Sequence, residues 1–255
     1  MAATPDKFQE AKIVSRRDHT KELWTIRVAL EEPLTFRPGQ YATLGMNTGT
    51  KRLERAYSIV SSPLESEVEF FFELVQDGAL TPKLYELGEG DTFLMRRQAK
   101  GLFTLDTKSG HPNHYLVCTV TGVAPYVSMA RTLAWEAERG TLPGIRLVVL
   151  HAASRSWELA YHDELTHLAQ TFPWIEYIPM VSRPWEHTGW RGEVGRVEDV
   201  LRKHLDARGF DPATTTAYVC GHPTMIENAK GILQRRGFNK EFVREEVYWV
   251  PKKHG

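Results

Sequence analysis

The hydrophobic pattern changes its period near residue 107, and no other feature constrains the fold as strongly. Before that point, short apolar runs alternate with turn signals. Val68, Phe70, Phe72 and Leu74 fall on one side of an extended segment, and Glu69, Phe71, Glu73 and Val75 on the other. Lys12 to Val14, Leu23 to Leu30, Ser58 to Ser61 and Thr92 to Met95 read as further strands. Pro38-Gly39 and Gly88 to Asp91 mark reversals. Many short strands at this spacing predict a closed or nearly closed antiparallel barrel. After the change, strand and helix alternate. His114 to Thr121, Ile145 to Leu150, Trp174 to Ile178 and Thr216 to Cys220 read as strands, Ile145 to Leu150 of the buried parallel kind. Pro125 to Arg139, Trp157 to Leu168 and Thr224 to Arg236 read as helices, and Val194, Val197, Leu201 and Leu205 line the face of another. The expected fold is two-domain, β followed by α/β. It comprises a barrel over residues 1–106, a polar linker over 107–113 and a Rossmann-like parallel-sheet domain over 114–255.

Charge and cysteine content narrow the functional classes. Lys plus Arg equals Asp plus Glu, at 32 each, so no global charge draws the chain to nucleic acid. Cys118 and Cys220 sit in apolar, strand-like runs and read as reduced, buried thiols of a cytoplasmic protein. No apolar run has the length of a membrane span, and the first residues lack the pattern of a signal peptide. The two cysteines cannot ligate a four-cysteine iron–sulfur cluster, and the ten histidines lack metal-ligand spacing, so no metal is expected.

Three places beyond the carboxyl ends of the predicted parallel strands lack bulky apolar character: Thr119 to Pro125, Ser154-Arg155, and Cys220 to Pro223. Ligands of open parallel sheets sit there. Thr121-Gly122 before a helix offers backbone N–H groups to a phosphate, although short glycine turns of this kind are also common without a ligand. Arg155, Arg183 and Arg191 fall in loops after strands, where a guanidinium is either solvated or grips phosphate oxygens. Ser182 beside Arg183 adds a hydroxyl suited to a phosphate monoester. In the first half, Arg55-Ala56-Tyr57-Ser58 reads as a strand start, with Arg55 and Tyr57 on one face and Ser58 opposed. That face suits a cofactor carrying phosphate and a flat ring, or it is a plain barrel wall.

The combined motifs resemble the bacterial, FAD-containing branch of the ferredoxin–NADP reductase family. The matching pieces run in family order over nearly the whole chain. They are Phe36 to Tyr41, Arg55 to Ser61, Gly78 to Lys83, Lys100 to Leu105, Thr121 to Tyr126, His151 to Arg155, Val181 to Arg183, Cys220-Gly221-His222-Pro223 and an aromatic pair near the C-terminus. The resemblance implies that the barrel is an antiparallel Greek-key β-barrel that binds FAD and that the second domain binds NADP(H). Arg55, with Ala56 beside it, would pair with the FAD pyrophosphate, Tyr57 would stack on the isoalloxazine and Ser58 would hydrogen-bond near N5. Gly78, Leu80 and Thr81 would contact the pyrophosphate. Thr119 and Cys220 would lie where nicotinamide meets flavin, and Thr121, Gly122 and Val123 would form the dinucleotide loop. Arg155, Ser182, Arg183 and Arg191 would hold the 2′-phosphate, which selects NADP(H) over NAD(H). Tyr248 would face the flavin and Trp249 the FAD adenine. Ser58, Tyr57, Cys220 and Tyr248 are thus the expected catalytic group.

The implied activity passes electrons between NADP(H) and ferredoxin or flavodoxin, in a monomer without nucleic-acid or membrane partners. Reduction of free flavin, of a quinone or of an oxygenase component is the same-fold alternative. Lys12, Arg16, Arg17, Lys51, Arg52, Arg96, Arg97 and Lys100 are the cations expected to steer an acidic carrier. Two positions depart from the family pattern: Val120, where glycine is common, and His222, where asparagine is common. For His222 an orienting or packing role is expected.

Overall fold

A computed structural model describes residues 7–49, 51–142 and 144–248. The chain divides into two compact units, one running to Thr104 and the other starting at Leu105.

The first unit is a six-stranded antiparallel sheet. Its strands are β1 (Phe8–Asp18), β2 (Leu23–Leu30), β3 (Tyr41–Thr48), β4 (Lys51–Ser58), β5 (Val68–Glu73) and β6 (Thr92–Arg96), ordered β4-β3-β6-β1-β2-β5. A short helix α1 (Thr81–Tyr85) joins β5 to β6. Past the end of β4, Ile59 bridges Phe70 and the Val60 N–H donates to the Glu69 carbonyl at 2.9 Å. The chain leaving one edge strand therefore bonds to the other edge strand, and the sheet curls. Trp24 stacks on Phe72 at 5.1 Å, and Tyr85 meets the Trp24 ring edge-on at 5.0 Å. Arg16 covers Tyr85 and donates to the carbonyls of Tyr85 and Leu87, tying the exit of α1 to β1.

The second unit is a six-stranded parallel sheet of β7 (Asn113–Thr119), β8 (Arg146–Ala153), β9 (Ile175–Val181), β10 (Glu193–Val194), β11 (Thr215–Gly221) and β12 (Val243–Val247). Its order is β10-β9-β8-β7-β11-β12. Helices α2 (Ala124–Glu138), α3 (His162–Thr171), α4 (Val197–Ala207) and α5 (Pro223–Arg235) form between the strands. From β7 the chain steps outward to β8, β9 and β10, then returns to place β11 on the opposite side of β7. The strand order therefore reverses between β7 and β11, the position where such sheets bind ligands beyond their carboxyl ends. Leu105 to Pro112 is held to this unit. The Tyr218 hydroxyl accepts from the Asp106 N–H at 2.7 Å, and the Asp106 carboxylate pairs with Arg244 at 3.1 Å.

Several elements differ from their sequence-based expectation. The helix expected over Trp157 to Leu168 is split. Ser156–Glu158 form a 3₁₀ turn, Tyr161 takes a left-handed φ of 64°, and α3 begins only at His162. Val194 belongs to β10 rather than to the helix of Val197, Leu201 and Leu205, because its extended backbone pairs with Val181 of β9. The strand expected over Ser58 to Ser61 is the end of β4 followed by a bridge. Arg55 to Ser58 therefore close a strand instead of starting one. Both faces of β5 are covered, so Phe71 and Glu69 are buried along with Phe70 and Phe72, and Glu69 pairs with Arg27 at 3.4 Å.

Two buried histidines give this fold a pH dependence. His114 accepts or donates at the Tyr218 hydroxyl at 3.2 Å, and His151 lies 3.2 Å from the Tyr177 hydroxyl. Burial lowers their pKa values to about 4 and about 3. A depressed histidine favours the neutral folded state. Its contribution is fully present above the unfolded pKa near 6.5, and falls as pH drops from there toward the folded value. Each histidine should cost about 2 kcal/mol between pH 7 and pH 5. Urea unfolding at the two pH values should show His114→Phe losing about 2 kcal/mol less than wild type; equal losses would contradict the assignment.

Candidate functional site

The carboxyl ends of β7 and β11 meet closely because these strands pair in register, with Cys118 opposite Cys220. Past Thr119 the chain turns into a 3₁₀ segment, Val120–Val123, that runs directly into α2. A Cβ on Gly122 would lie 2.5 Å from the Cys220 carbonyl oxygen. Gly221 has φ +126°, and a Cβ there would lie 2.2 Å from Thr119 Oγ1. The same Thr119 Oγ1 accepts from the His222 N–H at 2.8 Å. His222 caps α5, its Nδ1 accepting from the Thr224 N–H at 3.2 Å. The Tyr248 hydroxyl reaches the Thr121 carbonyl at 3.5 Å and also the Cys220 thiol. Thr119, Thr121, Gly122, Cys220 and Tyr248, separated by up to 129 positions in sequence, thus form one constellation.

Electrostatics keep that constellation neutral. Burial pushes both the Cys118 and the Cys220 thiols well above their ordinary range, so they stay protonated at neutral pH. Both are free and buried, as their sequence context implies. No side chain caps α2, and no acidic residue lies in its first turn, which leaves the positive end of the helix uncompensated. Val123 points into the core, so only its backbone is available. Val120 takes a left-handed φ of 42°, which accounts for the usual glycine there. His151 Nε2 lies 3.2 Å from the Val120 carbonyl, and the neutral ring donates to it.

A second cluster lies along the ends of β8 and β9. The Ser182 N–H donates to Ala153 and the Arg183 N–H to Ser154, which sets Ser154-Arg155 beside Ser182-Arg183. Glu186 bonds Arg155 Nε at 2.5 Å and approaches Arg183 at 3.6 Å. Glu158 bonds Arg155 at 3.0 Å while accepting the Ser154 and Arg155 N–H groups. Arg191 is exposed. It donates to the Trp190 carbonyl and lines a cleft of about 380 Å³ with Ser156, Trp157, His162, His187 and Trp190. The sequence reading missed Arg196. The Gly195 N–H donates to the Val181 carbonyl at 3.0 Å, the exposed Arg196 is the next residue, and it makes no ion pair with another described residue. The signal was present as a glycine-arginine pair just before a strongly amphipathic helix.

In the first unit, Arg55 and Ala56 are exposed on β4, Tyr57 is half-buried and Ser58 is buried. The Arg55 guanidinium donates to the Glu54 carbonyl at 2.7 Å. Tyr57 packs edge-on against Phe72 at 4.9 Å, and burial pushes its hydroxyl pKa up to about 12. After β5, Thr81 Oγ1 lies 3.2 Å from both the N–H and the carbonyl of Val75. A Cβ on Gly78 would come 2.8 Å from that carbonyl, so the turn closes only around glycine. Leu80 is buried beneath it. An exposed cation and a half-buried un-ionised ring on one strand, with an adjacent tight turn, fit a phosphate-bearing planar cofactor. Trp249 lies outside the described residues. Among the expected steering cations, Arg16, Arg96 and Arg97 are ion-paired. They pair with Asp18, Glu54 and Glu32 at 2.9, 2.7 and 2.5 Å, and present little net charge. Lys12, Arg17, Lys51, Arg52 and Lys100 are exposed.

Residues 116–231 match the family model described as the oxidoreductase NAD-binding domain. The chain is 30% identical over 240 residues to the ferredoxin–NADP reductase of Azotobacter vinelandii, covering 89% of each protein. It is 27% identical to a flavodoxin/ferredoxin–NADP reductase of Buchnera aphidicola, over 94% of this chain and 98% of that protein. Among solved structures, a ferredoxin NADP⁺ reductase from Neisseria gonorrhoeae with bound FAD and NADP superposes with a TM-score of 0.80, at 26% identity, over 95% of this chain and 99% of that one.

The close approach at Gly221 predicts a specific penalty. Gly221→Ala should lower stability by about 2 kcal/mol or more, combining backbone strain with the clash on Thr119. Gly90→Ala also adopts a positive φ, but with nothing within 4 Å. It should cost about 1 kcal/mol. Equal losses in urea unfolding would refute the close-packing account.

Proposed function

The chain belongs to the ferredoxin–NADP reductase family, and from that membership we propose that it exchanges electrons between NADP(H) and ferredoxin or flavodoxin through bound FAD. The observation that carries this reading is the constellation of Thr119, Thr121, Gly122, Cys220 and Tyr248 where the parallel sheet reverses its order. FAD supplies the chemistry, accepting a hydride and releasing electrons singly. The residues bind, orient and exclude water.

The first unit is a Greek-key barrel that binds FAD, a reading favoured by the bridge from Ile59 to Phe70. Arg55 supplies positive charge to the pyrophosphate, and the turn of Gly78, Leu80 and Thr81 brings backbone close to it. Tyr57 offers its ring to the isoalloxazine. With its hydroxyl proton retained at neutral pH, the ring adds no negative charge beside the flavin. Ser58 supplies a hydroxyl at the reactive edge.

In the second unit, Thr121, Gly122 and Val123 present the dinucleotide loop at the N-terminus of α2. Thr119 and Cys220 line the nicotinamide position as neutral groups, so they orient the ring without taking its charge. Tyr248 occupies that position until nicotinamide enters. Arg155, Ser182 and Arg183, joined by Arg196, grip the 2′-phosphate. Trp157 and Trp190 make the cleft beside Arg191 suitable for adenine. The exposed Lys12, Arg17, Lys51, Arg52 and Lys100 attract an acidic carrier.

Steady-state rates with ferredoxin, flavodoxin and free flavin test the acceptor. The carrier proteins should be the faster acceptors, and a clear preference for free flavin would overturn the assignment. Arg183→Ala should raise the KM for NADPH about tenfold or more and leave that for NADH within about twofold. Equal changes for both would remove Arg183 from the phosphate site.

A further inference from the structure

The cations assigned to the 2′-phosphate do not stand alone. Glu186 lies between Arg155 and Arg183, with a 2.5 Å contact to one and a 3.6 Å contact to the other. Glu158 holds Arg155 from the other side at 3.0 Å. The two arginines and two glutamates sum to zero charge. The two carboxylates have different duties. Glu158 also accepts the backbone N–H groups of Ser154 and Arg155, so it shapes the loop. Glu186 precedes His187, whose ring Nδ1 bonds Ser156 Oγ at 2.7 Å, and its own side-chain partners are the two guanidiniums.

A carboxylate in this place has opposite effects on the two nicotinamide dinucleotides. A 2′-phosphate must displace it from the guanidiniums and then lie near its negative charge. A free 2′-hydroxyl can donate a hydrogen bond to it, as acidic residues do on the ribose of NAD. Resting on the assignment of Arg155 and Arg183 to the 2′-phosphate, we infer that Glu186 is a specificity-determining residue that narrows the preference for NADPH over NADH. The enzyme therefore accepts both dinucleotides, with NADPH favoured by less than its arginines alone would produce.

Binding of 2′-phospho-AMP and of AMP to the purified full-length protein, measured by calorimetry, reads this balance without reference to turnover. Glu186→Gln keeps the size of the side chain and removes its charge. It should tighten 2′-phospho-AMP roughly five- to thirtyfold, the scale of one like-charge contact at exposed sites. Binding of AMP should be unchanged or weaker, and the NADPH:NADH ratio of kcat/KM should rise in step. Unchanged or weaker 2′-phospho-AMP binding in a folded variant would overturn the inference, since Glu186 would then only organise the arginines. Arg183→Ala separates the two levels of the account. If it leaves 2′-phospho-AMP binding intact, the phosphate site itself is misplaced. If it weakens that binding while Glu186→Gln does not strengthen it, the inference about Glu186 alone fails.

Discussion

The in-register pairing of β7 with β11 is the constraint on which the second unit's site depends. It brings the turn after Thr119 and the turn after Cys220 to within atomic contact, and two glycines remove the side chains that would hold them apart. That contact fixes where α2 and α5 begin. It also gives Tyr248, carried by the strand that pairs with β11, a place to reach both Thr121 and Cys220. The switch in strand order therefore acts through backbone proximity more than through any one side chain.

Around this contact the structure keeps polar groups neutral where they are buried and charges paired where they are exposed. His151 supports the carbonyl of the left-handed Val120 as an uncharged donor. Cys118 and Cys220 remain thiols. At the outer ends of β8 and β9 the opposite arrangement holds, with guanidiniums and carboxylates facing one another near solvent. Exposed pairs of that kind contribute little to stability and are easily exchanged for a ligand's charge. On the proposed assignment the two regions take different halves of a dinucleotide: an apolar, uncharged end for the ring that reacts, and an exchangeable ionic end for the phosphate that identifies it.

Much of this was legible in the sequence, for definable reasons. Leu23 to Leu30 is a strand over the residues that its β-branched and apolar character marks, and α2 and α5 stop beside Gly140 and Gly237. The motif residues around Thr119 to Val123 and Cys220 are local, and backbone proximity then joins them. Periodicity failed where it carried no information on backbone reversal. Trp157 to Leu168 has helical composition, yet Tyr161 interrupts it. β10 and β12 are short edge strands whose pairing depends on distant neighbours. Ion pairs were equally invisible: Arg96 and Arg97 look basic in one dimension and are neutralised by Glu54 and Glu32 in three. Arg196 escaped notice because the segment before it is brought to the end of β9 by a hydrogen bond from Gly195 to Val181, which local composition does not reveal.

The proposed activity requires that the chain hold FAD and that NADP(H) reduce it. Anaerobic titration of the purified protein, followed by flavin absorbance, tests it most directly. The account predicts a yellow protein whose flavin band is bleached by stoichiometric NADPH and restored by oxidised ferredoxin or flavodoxin. A colourless protein that takes up no added FAD, or a bound flavin that neither NADPH nor NADH bleaches, would contradict it.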